Sequence, residues 1–159
     1  MQTTGTYSEH GGQPVVRFER TFPHPVEVVW EAVSDPNQLR EWFPTTVQFE
    51  RLQRGASIEF EFEQVDYPPM SGQVLEVEPG RRLSFTWGPD RLTFELEPRD
   101  QGAACRLALS VALDSSDKAA RDSAGWEQCL DMLAVTLAEG IPERQAFFRA
   151  ATQGMLPPS

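Results

Sequence analysis

Few side chains in this 159-residue sequence have the type and spacing to do chemistry. Its two cysteines, Cys105 and Cys129, form no C-x-x-C pair, and His10 and His24 stand in unrelated places. No zinc site assembles at known spacings from that set. A nucleophilic thiol needs a base beside it, and none is evident, so both cysteines read as buried reduced thiols. His24 lies between Pro23 and Pro25 and reads as a turn or cap residue rather than a general base. The carboxylates Glu59, Glu61, Glu63, Glu95 and Glu97 alternate with apolar residues, which puts them on a wet strand face. Only a one-residue slip in register would turn them inward as acids or bases. Arg20 is the exception to its own alternation, since by period it falls on the apolar side. It reads either as an ion pair at a strand end or as a cation at the rim of an internal cavity, because a buried guanidinium needs an oxygen partner. Tyr67, just before Pro68-Pro69, reads as an entrance residue or as an ordinary loop tyrosine.

The elements that would position these groups follow from periodicity. Val16, Phe18 and Phe22 alternate on a first strand over Val15–Phe22, after a Gly-, Thr- and Gln-rich opening expected to be loose. Pro25 and Asp35-Pro36 open two short helices, with Val26, Val29, Trp30 and Val33 as the apolar stripe of one and Leu39, Trp42 and Phe43 of the other. A meander of six strands comes next. Its inward positions include Phe60, Phe62, Phe85, Trp87 and Phe94, and the Met70–Val77 strand alternates poorly enough to suggest a bulge. Short loops imply antiparallel pairing. Asp114-Ser115-Ser116-Asp117 caps a long helix over Ala119–Gly140, in which Trp126, Cys129, Leu130, Leu133 and Leu137 share one face. Gly125 within it costs about 1 kcal/mol relative to Ala, so close approach of a strand or a ligand is expected there. Pro142–Ala151 could form a last short helix carrying Phe147 and Phe148. The result is one α+β domain over 15–140, flanked by a flexible 1–14 and a 141–159 tail. A curved antiparallel sheet of about seven strands, in the order β-α-α-β6-α, grips a C-terminal helix.

Composition removes several function classes. A formal net charge of -10 disfavours nucleic acid and anionic membrane surfaces as partners. No apolar run approaches the roughly 20 residues that span a bilayer, and the first residues lack the apolar core of a signal peptide, so the cytoplasm is the expected address. No cofactor motif is present.

Arg-Thr-Phe-Pro-His-Pro-Val-Glu-Val-Val-Trp-Glu-Ala-Val-Ser-Asp-Pro at 20–36, followed by Leu39 and Trp42-Phe43, resembles the opening signature of the SRPBCC (START-like, birch-pollen-allergen-like) superfamily. Gly72 to Val77, Pro79-Gly80-Arg81-Arg82-Leu83-Ser84-Phe85-Thr86-Trp87, and Gly125-Trp126 with Leu130 and Leu133 resemble its branch named after the activator of the heat-shock protein 90 ATPase. The resemblance implies a helix-grip fold whose cavity, between sheet and long helix, holds a lipid-like or aromatic molecule. The residue pattern points the same way, because aromatic walls with few polar groups describe a ligand pocket. The expected partner is thus a small apolar or amphipathic ligand among Phe60, Phe62, Phe85, Trp87, Phe94, Trp126, Cys129, Leu130 and Leu133, with Arg20 or Tyr67 at its polar end. Two alternatives stand beside this. Some superfamily relatives are polyketide cyclases or aromatases that use such a cavity for catalysis. A co-chaperone-like module is the other, although nothing before Val15 resembles the activator's additional N-terminal domain. Dimerisation through Phe147-Phe148 is a further option.

Overall fold

The computed structural model describes residues 5–62, 66 and 68–139. Strands β1 (Thr6–His10) and β2 (Gln13–Phe22) lead into helices α1 (Val26–Ser34) and α2 (Pro36–Trp42). Strands β3 (Thr46–Phe49), β4 (Ser57–Glu61), β5 (Met70–Glu78), β6 (Arg82–Trp87), β7 (Asp90–Arg99) and β8 (Ala104–Ala112) follow, and α3 (Ala119–Glu139) closes the order. All eight strands join one antiparallel sheet in the order β1-β2-β8-β7-β6-β5-β4-β3. Helix α3 packs on its inner face, with α1 and α2 as a bracket, so the α+β helix-grip architecture holds.

The alternation that predicts the strands also sets their faces. Phe18, Phe60, Leu83, Phe85, Leu92, Phe94, Leu107 and Leu109 are fully buried on the inner side. Trp126, Leu130, Leu133 and Leu137 of α3 are buried against them. The bracket is fixed by two hydrogen bonds. The Asp35 carboxylate accepts from the Asn37 backbone N–H at 3.0 Å and starts α2. The Trp42 indole donates to the Ala32 carbonyl at 2.9 Å and ties α2 to α1.

Three features differ from, or sharpen, the expectation. The sheet has eight strands rather than seven, because Thr6–His10, expected to be loose, pairs with β2 from Thr6 opposite Arg17 to His10 opposite Gln13. That segment has no apolar face to advertise itself; its ladder rests on backbone pairing to a strand already anchored by burial. The bulge expected in β5 is real, as the β5–β6 register shifts between Val74 and Glu76. Near it, Gly72 faces the Thr86 carbonyl so closely that a Cβ would collide with it. Gly125 differs from its expectation: it is exposed, and a Cβ there would meet nothing within 4 Å. Neither a strand nor a side chain gains from its bareness. No helix among the described residues is long and apolar enough to cross a membrane.

Candidate functional site

Four elements bring aromatic rings to one end of the interface between sheet and α3. Trp87 is the last residue of β6, Trp126 lies in the first half of α3, and Phe43 is the C-cap of α2. Their centroids form a triangle: Trp87–Trp126 5.5 Å, Phe43–Trp126 5.6 Å and Phe43–Trp87 6.1 Å. Edge-on and tilted contacts at these separations are the favourable aromatic geometries. The Trp87 indole donates to Thr45 Oγ1 at 3.3 Å, which fixes the ring from its polar edge. Phe62 lies just past the end of β4 rather than inside it, and its ring meets Trp87 at 6.4 Å. Trp87, Phe62 and Cys129 are half-buried, so this end of the aromatic wall reaches the surface.

The deeper rings behave differently. Phe85 touches Phe43, Phe49, Phe60 and Phe94 at centroid distances of 6.0 to 6.2 Å, and Trp42 stands edge-on to Phe94 at 6.0 Å. Phe60, Phe85 and Phe94 are wholly buried. The region expected as an open chamber at these three rings is therefore occupied by rings from α2 and its cap, packed as protein interiors normally are. Sequence reasoning placed Trp42 and Phe43 on the apolar side of a short helix but missed their reach into the sheet. The signal was Pro44, which ends the helix and frees Phe43 to turn inward.

Cys129 sits on α3 one turn from Trp126, half-buried rather than fully so, and burial pushes its thiol up to about 11. It stays protonated near neutral pH and is a poor nucleophile. Cys105 is fully buried, and burial raises its pKa as well. Both are free thiols. Arg20 is buried, as its place in the alternation requires, and its Nη1 donates to Asp131 Oδ1 at 3.0 Å. The ion-pair reading of Arg20 is correct, although its partner comes from the outer side of α3 rather than from the strand. Glu59, Glu61 and Glu97 are exposed and Glu95 is half-buried on the outer face, so the register leaves no inward carboxylate among them. Glu63, Tyr67, Phe147 and Phe148 lie outside the described residues. Among the described residues no group of His, Cys, Asp and Glu could hold a metal.

The outer face holds what the sequence did not single out. Glu76, Arg82, Glu95, Arg17, Glu19, Arg106, Glu97 and Arg99 form a continuous chain of ion pairs, among them Arg82–Glu95 at 2.7 Å and Arg17–Glu95 at 3.5 Å. A hollow of about 700 Å³ lies here, its walls including Arg17, Val26, Arg82, Glu95, Arg106 and Ala108. It is roomy, but much of its charge is already neutralised by neighbours, and it touches none of the aromatic rings. Hollows of about 300 Å³ and 230 Å³ lie along β3 and β4. At the aromatic end Asp90, directly opposite Trp87 in the β6–β7 register and almost wholly buried, accepts from Lys118 Nζ at 2.8 Å and from the Asp114 N–H at 3.3 Å. That cluster pins the start of α3 to the β6–β7 turn.

Comparison with known proteins places this geometry. No curated protein matches the sequence. A conserved protein of unknown function from Enterococcus faecalis superimposes with a TM-score of 0.71 at 17% identity, over 96% of this chain and 92% of its own. CalU16 from Micromonospora echinospora gives 0.69 at 24% identity, over 89% of this chain and 78% of that one. DynU16, a protein in the dynemicin biosynthetic locus, gives 0.67 at 29% identity over 80% of this chain, which spans 48% of DynU16. The family model for activator of Hsp90 ATPase homolog 1-like proteins matches residues 23–138, from the turn before α1 to the last turn of α3. Bracket, sheet and gripping helix all fall inside that match, and the chain belongs to the activator of Hsp90 ATPase homolog 1-like family.

Proposed function

We propose that the protein binds a small apolar or amphipathic molecule at the Trp87–Trp126 end of the interface between sheet and α3. The observation that carries this reading is the aromatic triangle of Phe43, Trp87 and Trp126, flanked by Phe62 and open to the surface where Trp87 and Cys129 are half-buried. Rings of this kind offer a large apolar contact area with little entropy to lose. The deep cluster around Phe85 serves as the rigid floor. Leu130 and Leu133 belong to the helix wall. The likeness to DynU16, which sits in a biosynthetic locus, supports handling of a small organic molecule rather than of a nucleic acid.

Binding is favoured over catalysis by the chemistry of the groups nearby. Cys129 is held as a thiol, and the buried Asp90 carboxylate opposite Trp87 is already engaged by Lys118 and the Asp114 backbone N–H. Neither is free to run the acid–base steps of a cyclase. Titration of the protein with an environment-sensitive apolar dye tests the reading. Saturable binding in the low micromolar range, weakened by Trp126→Ala while circular dichroism stays unchanged, is expected. Dye binding that ignores Trp126 and Trp87 would overturn it.

A further inference from the structure

Helix α3 buries Trp126, Leu130, Leu133 and Leu137 against the sheet. Val135, two residues from both Leu133 and Leu137, falls on the opposite side of the helix. One turn before it Met132 is 43% exposed, the one large apolar side chain that α3 leaves in water among the described residues. From Glu127 to Glu139 the helix carries Glu127, Asp131 and Glu139 and no Lys or Arg. Residues 140–159 follow it directly. In a chain of net charge -10 that stretch holds two arginines, Arg144 and Arg149, against a single acid, Glu143. It opens on Gly140-Ile141-Pro142, which can end one helix and begin another, since glycine takes the left-handed cap and proline suits a first helical position. Phe147 and Phe148 come shortly after that proline.

We propose that residues 142–151 form a helix that folds back antiparallel along α3 and lays Phe147 and Phe148 on the outer face at Met132 and Val135. The occupant of that face is thus the chain's own C-terminal segment. Antiparallel helix pairs are joined by about 2–5 residues, and 140–141 supply such a link. The lengths agree as well. At about 1.5 Å per residue, Phe147 and Phe148 stand about 8 and 9 Å along from Pro142. The same distance back from Glu139 reaches residues 133–134, the level between Met132 and Val135. Contact there removes the exposed thioether from water and sets it against an aromatic ring. By helical period Arg144 shares the side of Phe147 and Phe148, so the docked face brings a cation to an acidic helix. Two copies of α3 packed on each other would instead set Glu127 and Asp131 against their like. This pairing is independent of any ligand at the aromatic end.

Disulfide trapping in the full chain tests this. Met132→Cys combined with Phe148→Cys is compared with Leu52→Cys combined with Phe148→Cys, Leu52 being exposed on the connection between β3 and β4. A docked segment holds the first pair at a far higher effective concentration than a loose one would. Under mild oxidation the bond between positions 132 and 148 is expected to form within one chain at least about tenfold faster than that between 52 and 148. Tandem mass spectrometry locates the bond and tells it from links to Cys105 or Cys129. Equal rates for the two pairs overturn the proposal. A bond between two chains, rising with protein concentration, overturns it too and gives the face to a second copy. Urea denaturation supplies a second readout that needs no disulfide. Met132→Ser and Phe148→Ser should each lower the midpoint, and together by less than the two separate shifts added. Strictly additive shifts would show that the two side chains do not touch.

Discussion

On the inner face of β6, β7 and β8 the residues Leu83, Phe85, Leu92, Phe94, Leu107 and Leu109 are fully buried. The outer face of the same three strands carries Arg82, Glu95, Glu97 and Arg106 in ion pairs with one another and with β2. Burial removes apolar area from water at roughly 25 cal/mol per Å², a gain that salt does not screen. Exposed ion pairs contribute about 0–1 kcal/mol each. The inner face therefore supplies stability, and the outer face must be there for something else. Its pairs show what: Arg82 lies directly opposite Glu95, and Glu97 directly opposite Arg106, in the strand register. A slip of one residue would set these charges against apolar neighbours, so the chain of pairs guards register. The small outer residues Ala104, Ala108, Ala112 and Ser84 are buried as well.

Phe85→Ala is the sharpest way to break this contrast. Phe85 touches four other rings, and its loss should cost about 3–5 kcal/mol in urea denaturation. Arg82→Ala, on the same strand one face away, should cost less than about 1 kcal/mol. Comparable losses would mean that the outer chain carries stability after all. Asp90→Asn should fall between them, at about 1–3 kcal/mol, because this buried carboxylate accepts from both Lys118 and the Asp114 backbone. Gly125→Ala should act in the opposite direction. The site is open and helical, so the added methyl should stabilise the protein by about 0.5–1 kcal/mol. A loss there would show that Gly125 is needed for something beyond the fold.

The inner face was legible from sequence, since period-two alternation named Phe18, Phe60, Phe85, Phe94 and Leu107 as core without knowledge of any partner. So was α3, whose three- and four-residue spacing selected Trp126, Leu130, Leu133 and Leu137. Nothing in the sequence marked Asp131 as the partner of Arg20, because a cross-element contact 111 positions apart leaves no periodic trace. The β1 strand escaped notice for lack of an apolar face. The outer ion chain escaped for a different reason: alternating Arg and Glu looks like any solvated strand until the pairing of β2, β8, β7 and β6 lines the charges up. The filling of the chamber by Trp42 and Phe43 depended on how the α1–α2 bracket tilts onto the sheet. Periodicity in either helix does not encode that.

The smallest expected effect lies on the outer face and is the one that salt and acid should expose. The hydrogen bond from Arg106 beside Glu19, aided by Arg17, holds the Glu19 carboxyl below its ordinary value of 4.5, and Lys118 likewise holds Asp114 below 3.8. A carboxyl whose pKa is lower in the folded chain contributes stability fully above its unfolded value. That contribution fades as pH falls through the folded one. Both groups therefore act in the same direction, and the melting temperature should decline as pH drops below about 4.5. Glu19→Gln should leave the protein nearly as stable at pH 7 in high salt, where exposed charges are screened, and flatten part of the acid decline. A Glu19→Gln profile that runs parallel to the parent from neutral pH down to pH 3 would separate the outer chain from acid stability and leave register as its sole task.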